Sequence, residues 1–124
     1  MVQLAKRHDG KTLTRLDEIA QREAVSANFL VQILNDLRRA GLVSSRRGKA
    51  GGYLLAELPK NINLREIVNA VEPSLLTFAG TTDGESGEEV RKAWEKIAEH
   101  TRQSLESVSL KHLAEGSGET MFYI

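Results

Sequence analysis

Residues 14–56, TRLDEIAQREAVSANFLVQILNDLRRAGLVSSRRGKAGGYLLA, decide how this chain is read. Leu16, Ile19 and Ala20 fall on one face of a short helix, and Glu23-Ala24-Val25 makes a turn. Ser26 is an N-cap residue for a second helix over Ala27–Ala40, which Gly41 stops. Phe29, Leu30, Ile33, Leu34 and Leu37 form a stripe of helical period on it. Thr14, with Asp17 three residues on, has the form of a capping box for the first helix. The small Ala20 stands where the two helices must approach, and Val25, Leu30 and Ile33 are expected to bury the second one. This spacing suits a helix-turn-helix. One turn residue is unusual: glycine tolerates positive φ there, so Ala24 carries a conformational cost.

The helices alone would also suit a plain helical hairpin, and the next segment tips the balance. Leu42–Ser45 and Gly52–Ala56 read as two short strands around the tip Arg46-Arg47-Gly48-Lys49-Ala50-Gly51. Glycines let a backbone approach the sugar–phosphate surface, and arginine can enter a narrow minor groove. The tip lacks the G-x-x-x-x-G-K-[ST] spacing of a nucleotide phosphate loop. A basic β-hairpin behind a helix-turn-helix is the layout of a winged DNA-binding domain.

Charge distribution points the same way. The 124 residues carry 17 Lys/Arg and 17 Asp/Glu, but residues 1–60 hold 11 of the bases and 6 of the acids, and residues 61–124 the reverse, 6 and 11. The basic half can meet phosphates while the acidic half does something else. No apolar run approaches the ~18 residues of a membrane span, and no signal-peptide pattern opens the chain, so a cytoplasmic location is expected. With no cysteine there are no disulfides, thiol nucleophiles or thiolate metal sites. His8, His100 and His112 have no metal-ligand spacing, and nothing in the pattern suggests an enzyme.

Outward from the central stretch, Met1–His8 reads as the end of a helix with Lys6, Arg7 and His8 at its C-terminus, shorter than a core helix needs. After Pro59, Asn63 caps an expected helix from Leu64 to Val71, with Leu64, Ile67, Val68 and Val71 inward, and Glu72-Pro73 ends it. Ser74–Gly87 reads as a mobile linker. A long helix is expected over Glu88–Ser107, where Val90, Trp94, Ile97, Thr101, Leu105 and Val108 recur at steps of 4, 3, 4, 4 and 3. So narrow a seam suits one partner helix, most simply that of a second copy of the chain. Ser109 caps a short last helix with Leu110 and Leu113 inward, and Met121–Ile124 is a small apolar end.

The chain resembles the bacterial IscR/NsrR-type regulators, the Rrf-two family. The likeness is strongest in LDEIAQREAVSANFLVQILNDLRRAGLVSSRRGKAGGYLLA, where AGLVSSRRGKAGGYLL is the most specific run, and continues through INLREIVNAVEP and SVSLKHLAE. The resemblance implies a mainly α fold: a winged helix-turn-helix domain with a two-stranded wing, and a long C-terminal dimerisation helix. The expected division is 1–73 for the winged domain, 74–87 for the linker and 88–124 for the dimerisation helix and C-terminal segment. It further implies a homodimeric transcriptional regulator of pseudo-palindromic operators, most simply a repressor, with double-stranded DNA as partner. Carried over by position, the recognition helix presents Ala27, Asn28, Val31 and Gln32, and Ser26 offers a hydroxyl to a phosphate. The wing presents Arg46, Arg47 and Lys49, and Thr14, Arg15 and Tyr53 complete the DNA-facing set. The dimer interface is the seam named above.

Many members of that family hold an iron–sulfur cluster with three cysteines before the long helix. Leu75–Glu89 has none here, so no such cofactor is expected. The family's first helix also starts earlier, which suggests that part of it is missing from this sequence. The effector stays open between a small molecule in the groove beside the long helix, a protein partner, and none. The alternative function is a winged-helix module for protein–protein interaction, which would not need a basic wing.

Overall fold

The structure is a computed structural model and describes residues 1–116; the apolar end expected at Met121–Ile124 lies outside them. In chain order it contains α1 (Val2–Lys6), α2 (Leu16–Glu23), α3 (Ala27–Arg39), β1 (Val43–Arg46), β2 (Gly52–Leu55), a 3-10 turn (Pro59–Asn61), α4 (Leu64–Val71), α5 (Gly87–Glu106) and α6 (Leu110–Glu115). It is mainly helical with one two-stranded antiparallel sheet, as the sequence pattern predicts.

The ends of α2 and α3 use the same device. The N–H of Val25 bonds to the carbonyl of Ala20, and that of Leu42 to Leu37, each at 3.0 Å. Such a closure needs a left-handed residue just before the donor. Gly41 supplies it at φ 79°, whereas Ala24 supplies it at φ 54° and is the only non-glycine residue with positive φ among the described residues. At its other end α3 is capped as expected, Ser26 Oγ accepting from Phe29 N–H at 3.1 Å. Asn63 and Glu66 form a reciprocal capping box on α4.

The expected capping box at Thr14 does not form. Thr14 exchanges two backbone hydrogen bonds with Tyr53, so it acts as a third, one-residue strand beside β2. Its backbone is thereby held in the sheet, and α2 starts only after Arg15, which has no side-chain cap bond. Asp17 Oδ1 instead accepts from the adjacent Glu18 N–H.

Buried Leu4, Ile19, Leu34, Leu37, Ile62 and Leu110 lie in one core. Full burial of such side chains stabilises by roughly 1.5–3 kcal/mol each, so Leu110, 0% exposed, weighs as much as any residue of α3. The segment after α5, expected to go with the dimerisation helix, is tied to the winged part. Leu110 N–H bonds to Ile62 O at 2.8 Å, Leu64 N–H bonds to Val108 O at 3.0 Å, and α6 packs on α1. The chain after α5 therefore returns to the core of the winged part. Only α5 stands apart: it packs on α4, and Ala98 is its one buried residue.

Two inward assignments on the helix-turn-helix also change. Val25 is 38% exposed and Phe29 55% exposed, because the core stripe of α3 is the narrower set Leu30, Leu34 and Leu37. In α4, Ile67 and Val71 pack against the core from partly buried positions, and no α4 residue is fully buried.

Candidate nucleic-acid interface

With Leu30, Leu34 and Leu37 buried, the opposite side of α3 faces solvent. Ala27, Asn28 and Gln32 are exposed there, and Val31 is half-buried. Asn28 and Gln32 carry amide groups that can both donate and accept, which is the chemistry for reading base edges. Ser26 stands at the N-terminus of the same helix with one lone pair used by Phe29 N–H. Its O–H remains able to donate to a phosphate oxygen, next to helix N–H groups that favour an anion.

Beside α3 lies the wing. Antiparallel pairing runs from Val43 opposite Leu55 to Arg46 opposite Gly52. The turn beyond it folds tightly: Gly51 N–H bonds to Gly48 O at 3.0 Å, and a Cβ on Gly51 would strike the backbone of Arg46 and Arg47. Gly52 is required for a different reason, since a Cβ there would lie 2.5 Å from the carbonyl oxygen of Thr14. Arg46, Arg47 and Lys49 are exposed on this frame.

Arg15, Arg38, Arg46 and Arg47 line a concave surface between the start of α2 and the wing, together with Asp17 and Tyr53. Arg15 reaches across it, donating from Nη1 to the carbonyl oxygen of Lys49 at 2.8 Å. It therefore orients the wing tip as well as adding charge. Arg38 is the residue sequence reasoning missed. Two arginines in the last turn of α3 read as a simple complement to the helix dipole, and only the fold-back of β1 places Arg38 beside Ser45, with Nη1–Oγ at 3.4 Å. Tyr53 is half-buried against the core. Thr14 leaves the DNA-facing set altogether: it is 2% exposed, and its role is to hold the root of the wing.

The long-helix seam divides in two. Val90, Trp94 and Ile97 are 54%, 38% and 60% exposed, a bare apolar strip on α5. Thr101 is half-buried, and its hydroxyl donates to Ile97 O at 3.0 Å. Leu105 instead lines a cavity of its own chain with Val68 and Leu76. Val108 lies beyond the end of α5, half-buried, with its carbonyl bonded to Leu64. These last two turn inward because the chain must re-enter the core at Leu110.

A basic wing beside an exposed recognition helix defines a winged helix-turn-helix DNA-binding protein, and comparison with known proteins agrees. Residues 1–116 match the family described as Rrf2, iron-dependent transcriptional regulators. The chain belongs to that family and is a DNA-binding transcriptional regulator. It is 37% identical over 128 residues to the HTH-type transcriptional regulator CymR of Bacillus subtilis, covering 100% of this chain and 91% of that one. To the HTH-type regulator IscR of Cereibacter sphaeroides it is 35% identical over 111 residues, 84% of this chain and 72% of that one. Among solved structures, CymR of B. subtilis, described as its global cysteine regulator, superposes with a TM-score of 0.75 at 34% identity over 94% of this chain and 88% of that one. IscR of T. potens superposes with a TM-score of 0.72 at 32% identity, over 99% and 83%.

The family's description implies iron, and the donor set here does not fit a thiolate-held centre. The chain contains no cysteine, and among the described residues no three His, Cys, Asp or Glu side chains gather in a way that could hold a metal ion. No described helix is long and apolar enough to cross a membrane.

Proposed function

We propose that this regulator acts as a homodimer on pseudo-palindromic operators in the cytoplasm, as a repressor rather than an enzyme, without a cysteine-ligated cluster. The observation that carries the reading is the exposed side of α3, which bears Asn28 and Gln32, together with a wing on which Arg46, Arg47 and Lys49 are exposed. Two recognition helices related by a two-fold axis enter successive major grooves, one DNA turn or more apart. Asn28 and Gln32 read base edges, while Arg46, Arg47, Lys49 and Ser26 hold the phosphates and set the salt dependence. The dimer forms along Val90, Trp94 and Ile97, because an apolar strip so exposed on a 20-residue helix is covered most simply by its own copy. Repression follows from occupancy of the operator. A small molecule or protein that shifts the angle between α5 and the winged part would change half-site spacing and so regulate it.

The test is capture of sheared genomic DNA from the host with the purified protein, sequencing, and a salt titration on the most enriched fragment. Enrichment of one pseudo-palindrome with a steep salt slope is the expected result. Weak, uniform enrichment lost at physiological salt would overturn sequence-specific binding and direct attention to a protein partner.

A further inference from the structure

Phe29 is the least expected side chain on the recognition helix. It belongs to the apolar stripe of the sequence, yet it is 55% exposed while Leu30, beside it, is buried. It stands in the first turn of α3, where its N–H bonds to Ser26 Oγ at 3.1 Å. The first turns of a recognition helix are the ones that reach base edges. Its exposed neighbours in that turn are Ala27 and Asn28, with Gln32 one turn on and Val25, 38% exposed, just before the helix. A bare aromatic ring thus stands in the same exposed first turns of α3 as the amide side chains of Asn28 and Gln32.

The major groove offers one apolar handle, the C5-methyl group of thymine. We infer that Phe29 is a specificity-determining residue that packs its ring on a thymine methyl in each half-site, with Val25 widening the apolar contact. This rests on the reading of α3 as the recognition helix and extends it from hydrogen-bonded base edges to an apolar one. DNA is favoured over a protein partner because the ring shares its face with Asn28 and Gln32 and lies in the basic half of the chain, which complements phosphate.

The inference is tested on a duplex selected from a random-sequence library by the wild-type protein. Each thymine of the selected site is replaced in turn by deoxyuridine, which removes only the methyl group. Affinities are measured for the wild type, Phe29→Ala and Phe29→Leu. One deoxyuridine position is expected to weaken wild-type binding by about fourfold, the worth of one buried methyl-sized group. The same replacement should leave Phe29→Ala unaffected, a non-additive cycle that isolates the contact. Phe29→Leu, still apolar, should keep part of the sensitivity. Because the ring is exposed, the variants should unfold at the wild-type temperature, so a loss of folding would not mimic the result. A flat deoxyuridine scan, or equal sensitivity in wild type and Phe29→Ala, overturns the inference and leaves the ring to a protein partner. Failure to select any duplex overturns both the inference and the DNA-recognition reading beneath it.

Discussion

Thr14 and Tyr53, 39 residues apart in sequence, exchange both of their backbone hydrogen bonds, N–H to carbonyl in each direction at 2.8 Å. This pair ties the segment before α2 to the returning strand of the wing, so the start of the helix-turn-helix is hydrogen-bonded to the sheet. The contact requires a residue without Cβ at position 52, where the Thr14 carbonyl lies 2.5 Å from any added carbon. Gly52→Ala should therefore destabilise the fold by about 1–3 kcal/mol, the usual range for forced overpacking. It should also loosen the wing. Urea unfolding together with hydrogen exchange at Tyr53 N–H measures both, and an unchanged unfolding midpoint would refute the close approach.

Ala24 gives the opposite case. Its left-handed φ of 54° costs an alanine about 1–2 kcal/mol that a glycine does not pay. Part of that gain returns as extra freedom of the unfolded chain. Ala24→Gly should raise stability by about 0.5–1 kcal/mol, read as a higher thermal midpoint, with DNA affinity unchanged.

Arg47 is exposed on the wing. As a phosphate contact, its replacement in Arg47→Ala should weaken binding by a similar factor on operator and random DNA. The slope of log affinity against log salt should fall by about one unit per protomer. A loss confined to the operator would reassign Arg47 to minor-groove readout.

Ile97 is 60% exposed at the middle of the apolar strip of α5. Ile97→Glu would place a carboxylate in the proposed dimer seam, where it could not be solvated. Sedimentation should show a monomer, and operator binding should fall steeply because two half-sites are no longer joined. Retention of the dimer would move the interface elsewhere.

Asp9 organises the turn between α1 and Thr14. Oδ1 accepts from the N–H groups of Lys11 and Thr12, and Oδ2 from the Thr12 hydroxyl. The Thr12 hydroxyl first, then these N–H groups, lower its pKa from 3.8 to about 2. A depressed pKa means stability that is present above pH 3.8 and lost as pH falls through about 2. The stability gap between wild type and Asp9→Asn should therefore be widest above pH 4 and close towards pH 2, as urea midpoints across that window would show.

Much of the domain was legible because its signals are local. The cap at Ser26 is a matter of one residue and the N–H three places on. The stop at Gly41 and the strain at Ala24 depend on φ at one position. The buried run Leu30, Leu34 and Leu37 is simple periodicity. The wing cations were legible in the basic hairpin tip itself, whereas Asn28 and Gln32 entered the candidate DNA face through the family resemblance; the burial of Leu30, Leu34 and Leu37 leaves both exposed.

What escaped depends on chain segments distant in sequence. Thr14 has the composition of a cap, but Tyr53 claims its backbone first. Arg38 joins the cationic concavity only after β1 folds back across the end of α3. Phe29 fits the apolar stripe on a helical wheel, yet among the described residues no second element covers it.

The sequence by itself determined the helices, the caps at Ser26 and Asn63, the stop at Gly41, the basic hairpin and the family, since propensity, periodicity and charge are carried by neighbouring residues. Tertiary structure alone decided that α6 seals the core of the winged part and that Leu105 and Val108 turn into their own chain. Of the large apolar residues of α5, Val90, Trp94 and Ile97 remain bare among the described residues. The reason is geometric: a seam repeating every three or four residues says which side of a helix is apolar, whereas the route of the following chain decides how much of that side its own fold covers.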